Sequence, residues 1–243
     1  MLSADTSEEE FRDLFAGLLA ALQQGKVAAL VVRKGALVSD RHPAYGNDAV
    51  LSREDAAEII LRAAAPADCF VSTTGKLSRE VFELREKLGQ DHRRDFLTVG
   101  SMGHASMIAL GVAESKPDRR VWCLDGDGAV MMHLGSLALI GRRAPKNLVH
   151  VVVNNGAHET VGGMPVCGGS LNIQALASAC GYAKMLHAED ERQLLACLAE
   201  LDAPAGGPVL LEIRCACGSR PDLGRPTTSP EENKTAFMRF LHV

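Results

Sequence analysis

The chain predicts an α/β fold: a doubly wound, mostly parallel six-stranded sheet with helices on both faces. From Ser52 onward, short apolar runs alternate with helical patterns. The runs are mainly apolar, as strands of a parallel sheet covered on both faces read. Their spacing suits right-handed βαβ crossovers, which place ligand loops at the carboxyl ends of the strands. At 243 residues the chain suffices for one large domain or a domain with an appendage, and a core of that size needs no staples.

In chain order, Thr6 and Glu9 make a capping-box start for a helix through about Gln24, with Phe11, Leu14, Leu18, Leu19 and Leu22 on one face. A strand is expected over 27–32. Residues 1–36 therefore read as a helix and strand of their own, residues 37–51 as a linker rich in turn formers, and residues 52–243 as the main domain. Ser52 caps a helix ending near Ala64. Strands are expected at 69–72, 95–99, 121–125, 149–153, 184–187 and 208–214. Helices are expected near 78–88, 104–114, 130–141, 172–180 and 190–200, with a last one after Pro230. There is no internal repeat and no low-complexity segment.

Composition narrows the function classes. The chain is 47% hydrophobic and 23% charged, ordinary globular values, and no apolar run reaches the roughly 18 residues of a membrane span. The first residues are acidic (Ser7 to Glu10) rather than basic and then apolar, so no secretory signal is visible and a cytoplasmic enzyme is expected. A net charge of -4 without a long basic run argues against a nucleic-acid partner, so any anion must be held locally. The seven cysteines form no CxxC pair, and Cys215 and Cys217 are too close together for a zinc fork, so they read as packed thiols.

The chemistry rests on two strand ends. Val121 to Gly128 (VWCLDGDG) is a buried strand ending in a glycine-flanked aspartate, and the 25 residues Ala129–Val153 separate it from Asn154-Asn155-Gly156 at the end of another apolar strand. Mg²⁺ prefers one or two protein oxygens, water and phosphate oxygens. Asp127, Asn155 and a backbone carbonyl just beyond them suit that preference. Gly126 and Gly128 admit a diphosphate close to the backbone, at the N-terminus of the following helix. Taken singly, Asp127 also reads as a helix cap and the asparagines as a turn. No GxGxxG follows a strand, and Gly75-Lys76 lacks the upstream glycine of a P-loop.

Together these segments resemble the GDG...NN signature of thiamine diphosphate enzymes. Thr73–Glu80 (TTGKLSRE), Val99–Ala105 (VGSMGHA), Asn154–Gly163 (NNGAHETVGG) and Gly218–Pro230 (GSRPDLGRPTTSP) resemble the phosphonopyruvate decarboxylases of that class, from about residue 27 to the end. Sulfopyruvate decarboxylase β subunits share the GSMG and GDG elements but differ after Gly103 and after the metal-site asparagine, so His104, His158 and Glu159 favour the phosphonate branch. Glu159 stands where that family has the shorter Asp.

The resemblance implies thiamine diphosphate and Mg²⁺ as cofactors. It makes the Gly100 carbonyl an acceptor for the aminopyrimidine and Met102 the wedge that bends the cofactor. It gives Asp127, Asn155 and the Ala157 carbonyl to the metal, and Gly75, Ala129 and Thr160 to the diphosphate, with Thr74, Ser101, Gly126, Gly128 and Asn154 in the same loops. His104, His158 and Glu159 become the catalytic candidates, the histidines because they exchange a proton near pH 7. Lys76, Arg79, Arg220 and Arg225 are the candidates for binding a substrate that carries a carboxylate and a phosphonate; a structural ion pair is an equally good reading for each.

The family's activating glutamate belongs to a pyrimidine-binding domain, of which residues 1–36 resemble only the tail. The resemblance therefore implies a β-type subunit that pairs with a separately encoded α subunit as α2β2, and a truncated chain would read the same. The implied reaction is decarboxylation of 3-phosphonopyruvate to phosphonoacetaldehyde, in phosphonate natural-product biosynthesis. The alternatives are a sulfopyruvate decarboxylase β subunit, a non-catalytic cofactor-binding subunit and a nucleotide-binding module.

Overall fold

The computed structural model describes residues 1–39, 45–167 and 171–242. The chain divides into two compact units, Met1–Pro43 and Ala44–Val243. No helix among the described residues is long and apolar enough to cross a membrane.

The first unit carries helix α1 (Glu8–Gln23). Its capping box uses Ser7 and Glu10, one residue later than the sequence suggests. Thr6 is already engaged, since its Oγ1 accepts from the Ser3 amide at 3.0 Å. The strand expected over 27–32 does not form; Val32 makes only an isolated bridge to Leu2. A β-run needs a neighbour to satisfy its amides, and here one residue supplies it: Leu2 donates to Val31 at 2.8 Å and accepts from Arg33 at 2.9 Å. Residues 40–44 of the expected linker lie outside the described residues. Its remainder from 45 is docked into the second unit, where Leu51 is buried and its carbonyl accepts from the Ala216 amide at 2.8 Å.

The second unit begins with α2 (Arg53–Ala63), N-capped by Ser52, then β1 (Cys69–Ser72), α3 (Lys76–Lys87), β2 (Asp95–Leu97), α4 (Ala105–Ser115) and β3 (Val121–Gly126). The helix expected at 130–141 is two helices, α5 (Asp127–Met132) and α6 (Gly135–Arg143). The break falls at His133, which leaves helical geometry at φ -132°, ψ 49° as its ring packs on His104 at 4.1 Å. There follow β4 (Leu148–Asn154), the short antiparallel pair β5 (Ala157–His158) and β6 (Met164–Pro165), α7 (Ile173–Cys180), β7 (Lys184–Ala188), α8 (Glu191–Glu200), β8 (Val209–Arg214) and α9 (Pro230–Leu241).

The main sheet has the order β2-β1-β3-β4-β8-β7, with every pairing parallel. Residue alternation divides the core. Phe70, Trp122, Leu124, Val151 and Leu211 face α2, α3 and α8, whereas Val71, Val121, Cys123, Val152 and Leu210 face α4, α6, α7 and α9. Both faces are largely apolar because both are covered, which is why the central strands read as mainly apolar runs. Polar groups flanking the core are paired: Trp122 donates to Asp68 at 2.8 Å, and Arg85 on α3 grips Asp95 on the edge strand β2 through two nitrogens at 2.9 and 2.7 Å. From β1 the chain steps outward to β2, then returns to the other side of β1 as β3. That reversal splays the loops after β1 and β3 and opens a crevice at their carboxyl ends.

Candidate functional site

The crevice holds a cavity of about 270 Å³. Thr73, Thr74 and Gly75 after β1 line one side, Gly126, Asp127, Gly128 and Ala129 at the end of β3 line the next, and Asn155, Ala157, His158 and Thr160 after β4 close it. Met102 reaches in from the loop after β2, and Lys76, Glu159 and Arg53 from the outer rim. Of the residues singled out in the sequence, the structure therefore brings Asp127, Asn155 and Ala157 to one cavity, together with the glycine turns, Met102 and His158.

Asp127 is 3% exposed, and burial pushes its carboxyl up to about 6 against the opposing pull of the Gly128 and Gly156 amides and of His158. The Gly156 amide donates to its Oδ2 at 3.1 Å. A buried carboxylate that stays above the usual carboxylate range despite these partners is poised for a metal ion. Asn155 is 7% exposed; its Oδ1 accepts from the Ala157 amide at 3.0 Å. Its carbonyl accepts from Asn47 Nδ2 at 3.0 Å and from Cys217 Sγ at 3.2 Å, so the turn is clamped from outside. The Thr73 hydroxyl is buried without a hydrogen-bond partner among the described residues. An orphan donor, a buried carboxylate and an amide oxygen on one cavity fit a phosphorylated ligand with its Mg²⁺.

Two glycines keep the cavity open. A Cβ on Gly128 would lie 2.5 Å from His158 Cε1 and 3.4 Å from Met102 Cε, so only glycine lets both side chains face the turn. Gly75, at φ 108°, admits Thr160 Oγ1 to within 3.0 Å of where its Cβ would stand. Met102 owes its place to an unusual loop in which Ser101, not a glycine, takes φ 46° between Gly100 and Gly103 at 72° and 89°. Thr74 steadies that loop, its Oγ1 accepting from the Gly100 amide at 3.0 Å.

Other candidates go elsewhere. His104 lies in a separate cavity of about 410 Å³ with Gly103, Met107 and His133, its Nδ1 3.1 Å from the Ser101 carbonyl. The Asn154 side chain donates to Glu212 at 2.8 Å. Arg220 is gripped by Glu54 at 2.9 Å, by Glu83 and by Asp222 at 3.2 Å. Arg79 and Arg225 line a cavity of about 310 Å³ that shares Thr74, Gly75 and Thr160 with the crevice. Glu159 accepts from Arg53 at 2.6 Å and from the Gly218 amide, with Lys76 Nζ 3.8 Å away.

Arg53 is the residue the sequence reading missed. It donates to Glu80 at 2.6 and 2.5 Å as well as to Glu159. Burial works against its charge, yet the two carboxylates outweigh it and raise its pKa. A basic residue in the first turn of α2 opposes the helix dipole; that misfit was the available signal.

Residues 74–213 match the family model for the thiamine pyrophosphate enzyme, C-terminal TPP binding domain. The chain is 40% identical over 209 residues to a phosphonopyruvate decarboxylase of Streptomyces hygroscopicus, covering 86% of this chain and 50% of that protein. It is 35% identical over 130 residues to the sulfopyruvate decarboxylase subunit beta of Methanocaldococcus jannaschii, covering 53% and 66%. An X-ray structure from Mycobacterium smegmatis, assigned to the thiamin diphosphate-dependent enzymes, shares the fold at TM-score 0.57 and 22% identity, over 74% of this chain and 34% of that one. The chain thus spans half the length of the phosphonopyruvate decarboxylase it matches. By the match over its strand-end loops, the chain belongs to the thiamine pyrophosphate enzymes and carries their C-terminal TPP binding domain.

Proposed function

We propose that this chain is the diphosphate- and Mg²⁺-binding part of a thiamine diphosphate-dependent decarboxylase that converts 3-phosphonopyruvate to phosphonoacetaldehyde and CO₂, acting as a β-type subunit with a pyrimidine-domain α partner. The observation that carries it is the convergence of Asp127, Asn155 and Ala157 on one cavity at the switch point of the sheet. When bound, thiamine diphosphate supplies the electron sink that a 2-oxo acid needs to lose CO₂.

The chain's own residues bind and orient. Asp127, Asn155 and the Ala157 carbonyl hold Mg²⁺, and Gly75, Ala129 and Thr160 border the diphosphate with the Thr73 hydroxyl as an added donor. Met102 and the Gly100 carbonyl would hold the aminopyrimidine end of the cofactor. His158, beside Gly128, is the group in the cavity able to exchange a proton with the reacting carbon. Glu159 holds its loop through Arg53 and does not act as a free acid. Arg79 and Arg225, which share a cavity bordering the crevice, bind the substrate's anionic end.

Identity supports the phosphonate: 40% to the phosphonopyruvate decarboxylase against 35%, over a shorter stretch, to the sulfopyruvate enzyme's subunit. The name of the latter, a subunit beta, favours a separate partner. Co-expression with a pyrimidine-domain subunit and a CO₂-release assay on both substrates tests the reading. Preference for 3-phosphonopyruvate supports it; preference for sulfopyruvate, or no turnover of either by the assembled complex, rejects it.

A further inference from the structure

One cluster in the second unit serves none of these roles. Cys123 and Asp125 lie two apart on β3, so they point to the same face, and His150 on β4 is the register partner of Cys123. One ligand atom from each lies within 4.8 Å of the others, and all three residues are completely buried. An apolar strand pair has no packing reason to hold a thiol, a carboxylate and an imidazole together.

Each group is oriented with an atom left over. Asp125 Oδ1 accepts from the Gly126 amide at 3.0 Å, while its Oδ2 has no hydrogen-bond partner. His150 Nδ1 sits 2.9 Å from the Tyr182 hydroxyl, while its Nε2 has none. The two orphan atoms stand 3.5 Å apart without forming a hydrogen bond. Two ligands sharing a tetrahedral ion at metal–N and metal–O lengths of about 2.0–2.2 Å stand about 3.3–3.5 Å apart. A second hydrogen bond that fixes the ring of a ligating histidine is the usual companion of a metal site.

We propose that Cys123, Asp125 and His150 form a buried site for a zinc-class divalent ion, distinct from the Mg²⁺ site and not dependent on the thiamine reading. A thiolate, an imidazole and a carboxylate select Zn²⁺ over Mg²⁺. Three protein ligands leave one position for water, and binding releases the Cys123 thiol proton to solvent. The ion ties β3 to β4 directly beneath Gly126 and Asp127, where it holds the strand end that presents the Mg²⁺ ligand. Because the cluster has no exposed surface, the ion enters during folding and leaves only on unfolding.

The test uses the full chain, with its partner subunit if one co-purifies, from cells grown in zinc-supplemented medium. The native protein is dialysed against EDTA, which strips Mg²⁺, and its zinc is measured by mass spectrometry. The expected result is about one zinc per chain, released to a chelating dye only in denaturant, retained in Asp127→Asn and lost in Cys123→Ser. Less than about a tenth of a zinc per chain in the wild type overturns the proposal and leaves a bare Asp125–His150 contact. Undiminished zinc in Cys123→Ser overturns it as well. Should Cys123→Ser fail to fold, zinc-edge X-ray absorption on the wild type decides: one sulfur and one imidazole in the shell support the site, and any other sulfur count rejects it.

Discussion

The Arg53 guanidinium donates to Glu159 at 2.6 Å, with both side chains almost fully buried. Its other edge grips Glu80, so one cation ties the start of α2 and the body of α3 to the loop that follows the Asn155 turn. The loop that completes the candidate cofactor cavity is thus fixed by a buried charge network and not by its own short strands. Removing the cation strips buried Glu80 of both its hydrogen bonds and leaves Glu159 only the Gly218 amide and Lys76 at 3.8 Å, so Arg53→Ala is expected to destabilise the second unit by about 3–5 kcal/mol. Urea unfolding followed by circular dichroism checks this, and a loss below about 1 kcal/mol would show the network to be incidental.

Asp127→Ala is expected to weaken Mg²⁺-dependent binding of thiamine diphosphate by at least about tenfold, equivalent to about 1.4 kcal/mol, while raising thermal stability of the cofactor-free protein. The stability gain follows because burial alone pushes this carboxyl up, so its ionised form is a cost when no cation is present. Calorimetry of binding and of unfolding reads both effects; unchanged affinity would contradict the role of Asp127.

The same carboxyl gives a pH dependence. It sits at about 6 in the fold against an ordinary 3.8, so the folded state holds this proton more tightly than the unfolded chain. Below pH 6 the proton competes with the cation. Mg²⁺ affinity is therefore expected to be full above about pH 7 and to fall as pH drops through 6. Titration at several pH values checks it, and a midpoint near 4 would place the carboxyl in a wetter setting than its burial indicates.

Gly141 and Gly128 separate stability from function. A Cβ on Gly141 would stand 1.8 Å from the Cys180 carbonyl, where α6 meets the end of α7, so Gly141→Ala is expected to cost about 1–3 kcal/mol with cofactor affinity unchanged in the folded fraction. Gly128→Ala drives its methyl into His158 at the cavity wall and is expected to lower cofactor affinity with a smaller change in stability. Thermal melts beside binding curves distinguish the pair; equal loss of both properties in both variants would defeat the distinction.

Three of the four basic candidates also separate. Arg220 is already held by three carboxylates, whereas Arg79 and Arg225 line a cavity that borders the crevice. Arg79→Ala and Arg225→Ala are expected to raise KM for the anionic substrate several-fold, and Arg220→Ala to leave it near the wild-type value. A KM rise confined to Arg220→Ala would reverse this assignment.

The four central strands of the main sheet were legible because they are buried on both faces and therefore spell mainly apolar runs, whereas the edge strand β7, with Lys184 half-buried and His187 exposed, carries a weaker form of the same signal. The juxtaposition of Asp127 and Asn155 was legible for a related reason: each closely follows such a run, so their places at adjacent strand ends come with the sheet order. The strand expected at 27–32 failed because an apolar run states a preference and cannot state that a neighbouring strand exists. His104 shares a motif loop with Met102, yet the positive φ at Gly103 turns it to His133 and away from the cavity; a backbone reversal of that kind leaves no periodic trace. Arg53 lies about a hundred residues from Glu159 in sequence, and no local pattern announces a partnership at that range.

Crystals of the chain grown with thiamine diphosphate and Mn²⁺ in place of Mg²⁺ give the most direct measurement, an anomalous difference map. The expected result is one strong manganese peak in the crevice, about 2.0–2.3 Å from oxygens of Asp127 and Asn155. A manganese peak elsewhere, or cofactor density with no ion between those two side chains, would contradict the assignment.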